Sequence, residues 1–107
     1  MVECESELEK FRKMLKCREH VKECIGGAAL YEQMAEECTE LAQALLKKAR
    51  KLRGDNPTPR TMEEINASIE EEYTDVCICA DMLDLDANND TYDAKVFRWA
   101  GRVDAKE

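Results

Sequence analysis

Two long segments of this chain repeat their apolar residues at intervals of three and four, which places the side chains on one face of an α-helix. They span about residues 28–52 and 61–85. Between them lie Pro57 and Pro59, which remove amide donors and interrupt helical geometry. At the start of the second segment, Thr61 precedes Glu64 by three residues, the pattern of a capping box. We therefore predict two long antiparallel helices joined by a loop.

Shorter amphipathic patterns lie on either side of these two helices. One covers about residues 2–25 and stops at Gly26 and Gly27, which favour the left-handed turn that closes a helix. Another begins near Thr91, and its apolar side, which we expect to face inward, consists of Tyr92, Val96, Trp99 and Val103. The prediction is an all-α chain of about four helices, forming a single domain over residues 1–107.

Charge and length narrow the classes of function. The 107 residues carry a formal net charge of −8, so nucleic acid and anionic membranes would repel the protein at long range. No apolar run reaches the length of a membrane span, and the acidic N-terminus lacks the features of a signal peptide. We expect a cytoplasmic protein that binds neither nucleic acid nor membrane. A chain this short can also gain stability by sharing its core in a homo-oligomeric helical bundle.

The six cysteines allow two interpretations. Three of them lie inside helical patterns and are expected to be small core residues: Cys38, Cys77 and Cys79. Cys17, His20 and Cys24 share one face of the first helix and would suit zinc if a fourth ligand, such as Cys4, joined them. Zinc sites more often join two loops or turns than a single helix face, which disfavours the second interpretation.

Each long segment also contains an acidic cluster, Glu36-Glu37-Cys38-Thr39-Glu40 in the first and Glu71-Glu72-Tyr73-Thr74-Asp75 in the second. Carboxylates three residues apart lie on one side of a helix, so two packed helices can direct four carboxylates at one point. Acidic residues at this spacing usually form a solvated surface. Glu72, however, falls within the apolar stripe of its helix, where a carboxylate is costly unless it is paired, protonated or bound to metal. The clusters therefore predict a metal site.

The types of ligand favour magnesium, with manganese as a possible substitute. Oxygen ligands without histidine or thiolate select hard cations. Di-iron bundles use Glu-x-x-His pairs, and the only histidine, His20, lies outside both clusters. Magnesium beside lysines suits a triphosphate, because the cation bridges phosphate oxygens and lowers the pKa of a bound water. Glu36 could orient that water, although its spacing directs it away from the cluster.

These residues resemble the MazG-like, all-α nucleoside triphosphate pyrophosphohydrolases, whose motif EExxE is followed on the next helix by ExxD. Here the motif reads Glu36 to Glu40 and Glu72 to Asp75. The similarity covers residues 33–46 and 70–83, the central half of the chain, and is closest to the small single-domain members of bacteria and phages. Residues 95–99 are similar, more loosely, to the basic C-terminal stretch of those members.

The resemblance implies magnesium-dependent cleavage between the α and β phosphates, which yields a monophosphate and pyrophosphate. It also implies dimers or dimers of dimers. The metal ligands would be Glu37, Glu40, Glu72 and Asp75, with Glu36 as a further catalytic carboxylate. The candidates for substrate contacts are Gln33, Lys47, Lys51, Asn56, Lys95 and Arg98.

Three functions stay open at this point. The first is housecleaning of deoxy or noncanonical nucleotides, and the second is a dedicated dUTP or dCTP pyrophosphatase with the same metal chemistry. The third is a non-catalytic helical interaction module whose acidic clusters only solubilise it or bind a structural metal. Lys47 and Lys51 have a simpler explanation as well, because basic residues at the end of a helix complement its dipole.

Overall fold

The computed structural model describes residues 5–54 and 59–106. These residues form four helices and no strand: α1 (Glu7–Ile25), α2 (Gly27–Arg53), α3 (Met62–Met82) and α4 (Asn89–Ala105). The prediction of an all-α chain with about four helices is therefore confirmed. None of the described helices combines the length and the apolar composition that a transmembrane span requires.

Side-chain caps explain where α1, α3 and α4 begin. The Ser6 hydroxyl accepts a hydrogen bond from the Glu9 amide, and the Glu9 carboxylate accepts one from the Ser6 amide, which together start α1. Thr61 and Glu64 form the same reciprocal pair at the start of α3, so the predicted capping box is confirmed. At the start of α4, the Asn88 side chain accepts from the amides of the next turn. Each cap satisfies amides that have no partner inside the helix.

Two glycines close helices in the left-handed region of backbone geometry. Gly26, at φ +85°, donates its amide to the Lys22 carbonyl and so ends α1, while its own carbonyl accepts from Leu30 in the first turn of α2. Gly54, at φ +71°, ends α2 in the same region. A side chain at either position would be strained. The predicted break at Gly26-Gly27 is confirmed, with Gly27 as the first residue of α2.

The core lies between α2 and α3, which run antiparallel. At one end Leu30 packs with Cys79 and Met82. At the other end the Lys51 amine donates to the Arg60 carbonyl over 2.9 Å. The hydrophobic residues that are buried among those described are Leu30, Ala44, Ile65, Cys79 and Met82. This antiparallel pair sets which residues of α2 and α3 face each other.

The outer helices, α1 and α4, contribute little to this core. α1 approaches it through ion pairs, Arg18 with Asp81 at 3.5 Å and Lys22 with Asp84 at 3.9 Å. Within the described part of the chain, α4 packs against none of the other helices. The prediction that the apolar side of α4 faces inward is therefore wrong for the single chain, and Trp99 is 69% exposed.

The cysteine predictions had mixed outcomes. Cys79 is buried in the core and Cys77 is half-buried, but Cys38 is exposed. Cys38 follows Glu37 directly, and the half-buried Glu37 occupies the inward position of that turn instead. The prediction of a core role was therefore correct for Cys79 and wrong for Cys38.

Candidate metal centre and adjoining cleft

Three carboxylates from two helices converge in the structure. Glu37 and Glu40 on α2 and Glu72 on α3 each offer one oxygen, and these oxygens all lie within 4.8 Å of one another. The spacing of three residues puts the α2 pair on one side of its helix, and the antiparallel packing brings Glu72 opposite them. The sequence pattern predicted four carboxylates at one point, and the structure brings three of them together.

The two other motif carboxylates stand apart from this group. Asp75 is half-buried one turn beyond Glu72, and its charge raises the pKa of both Glu37 and Glu40, so it lies close to the centre. It does not belong to the set of mutually close oxygens. Glu36 is exposed and outside that set, which agrees with the direction that its spacing predicts.

Two oxygens at the centre are buried and have no hydrogen-bond partner within the described residues, Glu37 Oε2 and Glu72 Oε2. The other oxygen of Glu37 accepts a hydrogen bond from Gln33 Nε2 over 2.8 Å. A buried acceptor without a partner costs about 1–3 kcal/mol. A divalent cation would satisfy both oxygens, and an all-carboxylate donor set suits a hard cation. The residues present therefore fit magnesium or manganese.

The carboxylates of the metal centre lie close together, and this raises the pKa values of two of them, Glu37 and Glu40. The amide of Gln33 lowers the pKa of Glu37, but desolvation together with the charges of Glu40 and Asp75 outweighs it, so that the pKa of Glu37 is raised overall. The pKa of Glu40 is also raised, first by the hydrogen bond that it shares with Glu72 and then by the charge of Glu72. A bound cation would oppose these shifts, because a positive charge beside the carboxylates favours their ionised form.

A cleft of about 350 Å³ opens beside the metal centre. It starts at Glu40 and Glu72 and follows the groove between α2 and α3 toward the connecting segment. Its remaining lining consists of Gln43, Ala44, Lys47, Arg60 and Ser68. The volume lies at the lower end of the range for ligand pockets, about 300–1,000 Å³. One end of this cleft is acidic and the other end is basic.

Three of the residues predicted to contact substrate lie near the metal centre or the cleft, and each has a different role there. Lys47 lines the cleft. Lys51 donates to the Arg60 carbonyl and so holds the end of the hairpin together. Gln33 donates to Glu37 and therefore supports the metal centre.

The three other candidates are not placed at the site by a single chain. Asn56 lies outside the described residues. Lys95 and Arg98 are exposed on α4, which packs against none of the other helices in the described part of the chain. Within the single chain, α4 does not bring these two cations to the metal centre.

Arg60 is a cleft residue that sequence reasoning missed. Its guanidinium donates to Ser68 Oγ over 2.7 Å, and it directly precedes the cap of α3. The signal was available, because antiparallel pairing places the residue before α3 opposite the basic last turns of α2. The acidic motif does not include Arg60.

The proposed thiol-histidine site does not assemble among the described residues. Cys24 Sγ lies 3.7 Å and 3.9 Å from the two ring nitrogens of His20, and both residues are exposed. Cys17 does not join them in a metal-binding group. The suggested fourth ligand, Cys4, lies outside the described residues.

Comparison of the chain with protein-family models, with curated proteins and with solved structures gave no match. The resemblance to the MazG-like enzymes therefore stays a prediction that rests on the motif residues.

Proposed function

We propose that this protein is a MazG-like nucleoside triphosphate pyrophosphohydrolase that depends on magnesium. The single observation that carries the proposal is the pair of buried oxygens on Glu37 and Glu72, beside Glu40, that have no hydrogen-bond partner among the described residues. A solvated acidic surface would not bury carboxylate oxygens in this way. A cation supplies the missing partner for both oxygens at once.

In this proposal magnesium is held by Glu37, Glu40, Glu72 and Asp75, and manganese can replace it. The bound cation supplies Lewis acidity toward the phosphates and lowers the pKa of a water. Water attacks the α-phosphorus, the bond from phosphorus to the α–β bridging oxygen breaks, and the nucleoside monophosphate and pyrophosphate leave. Lys47, in the adjoining cleft, neutralises phosphate charge. Glu36 was a candidate to orient the attacking water, but its exposed position gives that role no support.

The proposal includes a homodimer or homotetramer. The radius of gyration is 18.9 Å, whereas a compact chain of this length would have about 13 Å. The accessible surface is 9058 Å², against about 6,100 Å² for a monomer of this mass. The difference, about 3,000 Å², is the scale of surface that obligate homo-oligomers bury. The exposed apolar residues that would be covered include Leu8, Phe11, Met14, Tyr92, Val96 and Trp99.

An assembly of this kind also gives a role to α4. Because α4 does not reach the metal centre of its own chain, Lys95 and Arg98 would contact substrate only across a subunit interface. We place the enzyme in the cytoplasm, where it removes surplus deoxy or noncanonical nucleotides.

A nucleotide panel tests the proposal. The protein is incubated with standard, deoxy and noncanonical triphosphates in the presence of magnesium, and monophosphate and pyrophosphate are measured. We expect both products in equal amounts with at least one nucleotide, and no product in EDTA. Glu72→Gln should abolish product formation, whereas Glu71→Gln, which removes the same charge from an exposed neighbour, should not. Release of orthophosphate instead, or no product with any nucleotide, would refute the proposal and favour the non-catalytic module.

A further inference from the structure

We propose that the cleft between α2 and α3 binds the β- and γ-phosphates of the substrate, and afterwards the pyrophosphate product, through Arg60 and Lys47. This inference rests on the proposed function, which it makes more specific. It assigns a substrate-binding role to Arg60, a residue outside the acidic motif. The observations that carry it are the shape of the cleft, the order of charges along it, and the way Arg60 is held.

The cleft has a direction. Because α2 and α3 are antiparallel, moving from Glu40 to Lys47 on α2 corresponds to moving from Glu72 to Ser68 on α3 and on to Arg60, just before that helix. Seven residues separate Glu40 from Lys47, which is about 10 Å along the helix axis. An α-phosphate at the metal centre would therefore leave the rest of the polyphosphate lying along the groove toward the two cations.

The charges along the groove match a bound polyanion only when a cation is present. The carboxylates at the metal end repel phosphate, and a divalent ion reverses that repulsion locally. Lys47 and Arg60 then provide positive charge at the opposite end. Glu40 and Glu72 line the cleft and also belong to the metal centre, so the metal site and the cationic end form one continuous surface.

Arg60 is positioned before any ligand arrives. Its guanidinium donates to Ser68 Oγ over 2.7 Å, and its backbone carbonyl accepts from the Lys51 amine over 2.9 Å. The contact with Ser68 orients the side chain along the cleft wall, and the contact with Lys51 holds the backbone of Arg60. A guanidinium can form two parallel hydrogen bonds to phosphate oxygens, a geometry that a lysine amine cannot reproduce. Positioning in advance reduces the entropy lost on binding.

The same contacts allow a simpler explanation, in which Arg60 only joins the two helices. The two explanations predict different results. A purely structural arginine would change the stability of the protein without a selective change in its affinity for pyrophosphate. A phosphate-binding arginine would change that affinity, and Lys47, which is exposed and on the other helix, would change it too.

Binding of inorganic pyrophosphate tests this directly. Titration calorimetry in magnesium compares the wild type with Arg60→Gln, Lys47→Gln and, as matched control, Arg53→Gln, which removes an exposed charge outside the cleft. We expect pyrophosphate affinity to fall about 10- to 100-fold for each cleft variant, the effect of losing hydrogen bonds to a charged group, and to stay unchanged for the control. Affinity for a nucleoside monophosphate should change less than threefold, and Arg60→Lys should retain part of the pyrophosphate affinity.

Thermal unfolding and circular dichroism establish which variants are folded. If Arg60→Gln does not fold, Lys47→Gln decides the question alone. Unchanged pyrophosphate affinity in the folded cleft variants would overturn the inference, and so would equal losses for pyrophosphate and monophosphate. Pyrophosphate release from a nucleotide together with unchanged affinity would reject the cleft and keep the proposed function. Selective loss of affinity without turnover of any nucleotide would support the cleft and reject the proposed function.

Discussion

Replacing Glu72 with glutamine should stabilise the metal-free protein while removing its response to magnesium. Glu72 Oε2 is buried and lacks a hydrogen-bond partner within the described residues, and oxygens of Glu37 and Glu40 lie within 4.8 Å of the Glu72 ligand oxygen. The glutamine has nearly the same shape, but it carries an amide that can donate to these acceptors. The substitution therefore removes a buried unpaired acceptor and a like charge together.

The size of the expected stabilisation follows from the unpaired oxygen of Glu72. A buried polar atom without a partner costs about 1–3 kcal/mol, so we expect the metal-free variant to gain up to that amount in its free energy of unfolding. For a domain of about 100 residues, each 1 kcal/mol corresponds to about 4–8 °C in melting temperature. The wild type should instead gain about 2.7 kcal/mol when magnesium is present at a hundred times its Kd. The two proteins should thus exchange their order of stability at this magnesium concentration when the variant's gain is below about 2.7 kcal/mol.

The assay is thermal unfolding followed by circular dichroism at neutral pH, at one fixed protein concentration, in EDTA and in magnesium. Glu71→Gln serves as the control, because it removes the same charge from the exposed position next in sequence. If Glu72→Gln melts below the wild type in EDTA, the buried carboxylate is not destabilising and the reasoning fails. If both variants gain equally, the cause is net charge rather than the unpaired oxygen.

Two further predictions follow from the same structure. Because the pKa values of Glu37 and Glu40 are raised, the native state binds more protons than the unfolded chain just above the ordinary carboxyl range. The stability of the metal-free protein should therefore fall as pH rises through that window, the reverse of the effect of the lowered pKa of Glu64. Urea unfolding from about pH 4 to about pH 7 measures this, and a slope that magnesium does not reduce would contradict it. For the proposed oligomer, Trp99→Glu should shift sedimentation toward the monomer, whereas Asp93→Asn on the same helix should not; unchanged sedimentation of both would place α4 outside the interface.

The features that could be predicted from the sequence are those that local geometry determines. The capping box at Thr61, the break at Gly26 and the sides of α2 and α3 that carry the carboxylates all follow from spacing within one helix. Convergence of the two acidic clusters needed only one more assumption, that neighbouring helices joined by a loop pack antiparallel. These predictions held because few alternative arrangements satisfy the same spacing.

The errors occurred where the outcome depends on contacts between distant parts of the chain. Periodicity shows that α4 has an apolar side, but it does not show whether that side meets the same chain or another one. The exposure of Cys38 depends on the rotation of α2 against α3, since a small rotation decides which of two adjacent residues faces inward. Arg60 was missed because its position in the cleft follows from the antiparallel pairing of the two helices and not from the acidic motif.

The antiparallel register of α2 and α3 connects these observations. Placing Glu72 opposite Glu37 and Glu40 also places Ser68 and Arg60 opposite the last turns of α2, so one packing arrangement determines both the metal end and the cationic end of the groove. The carboxylates weaken this packing when no cation is bound, and Lys51, which donates to the Arg60 carbonyl, strengthens it at the other end. A protein selected only for stability would replace Glu72, whose Oε2 atom is buried, with an apolar residue. Its presence in the apolar stripe is therefore most simply explained by a cation, and the direction of the groove then indicates where the rest of a polyphosphate would lie.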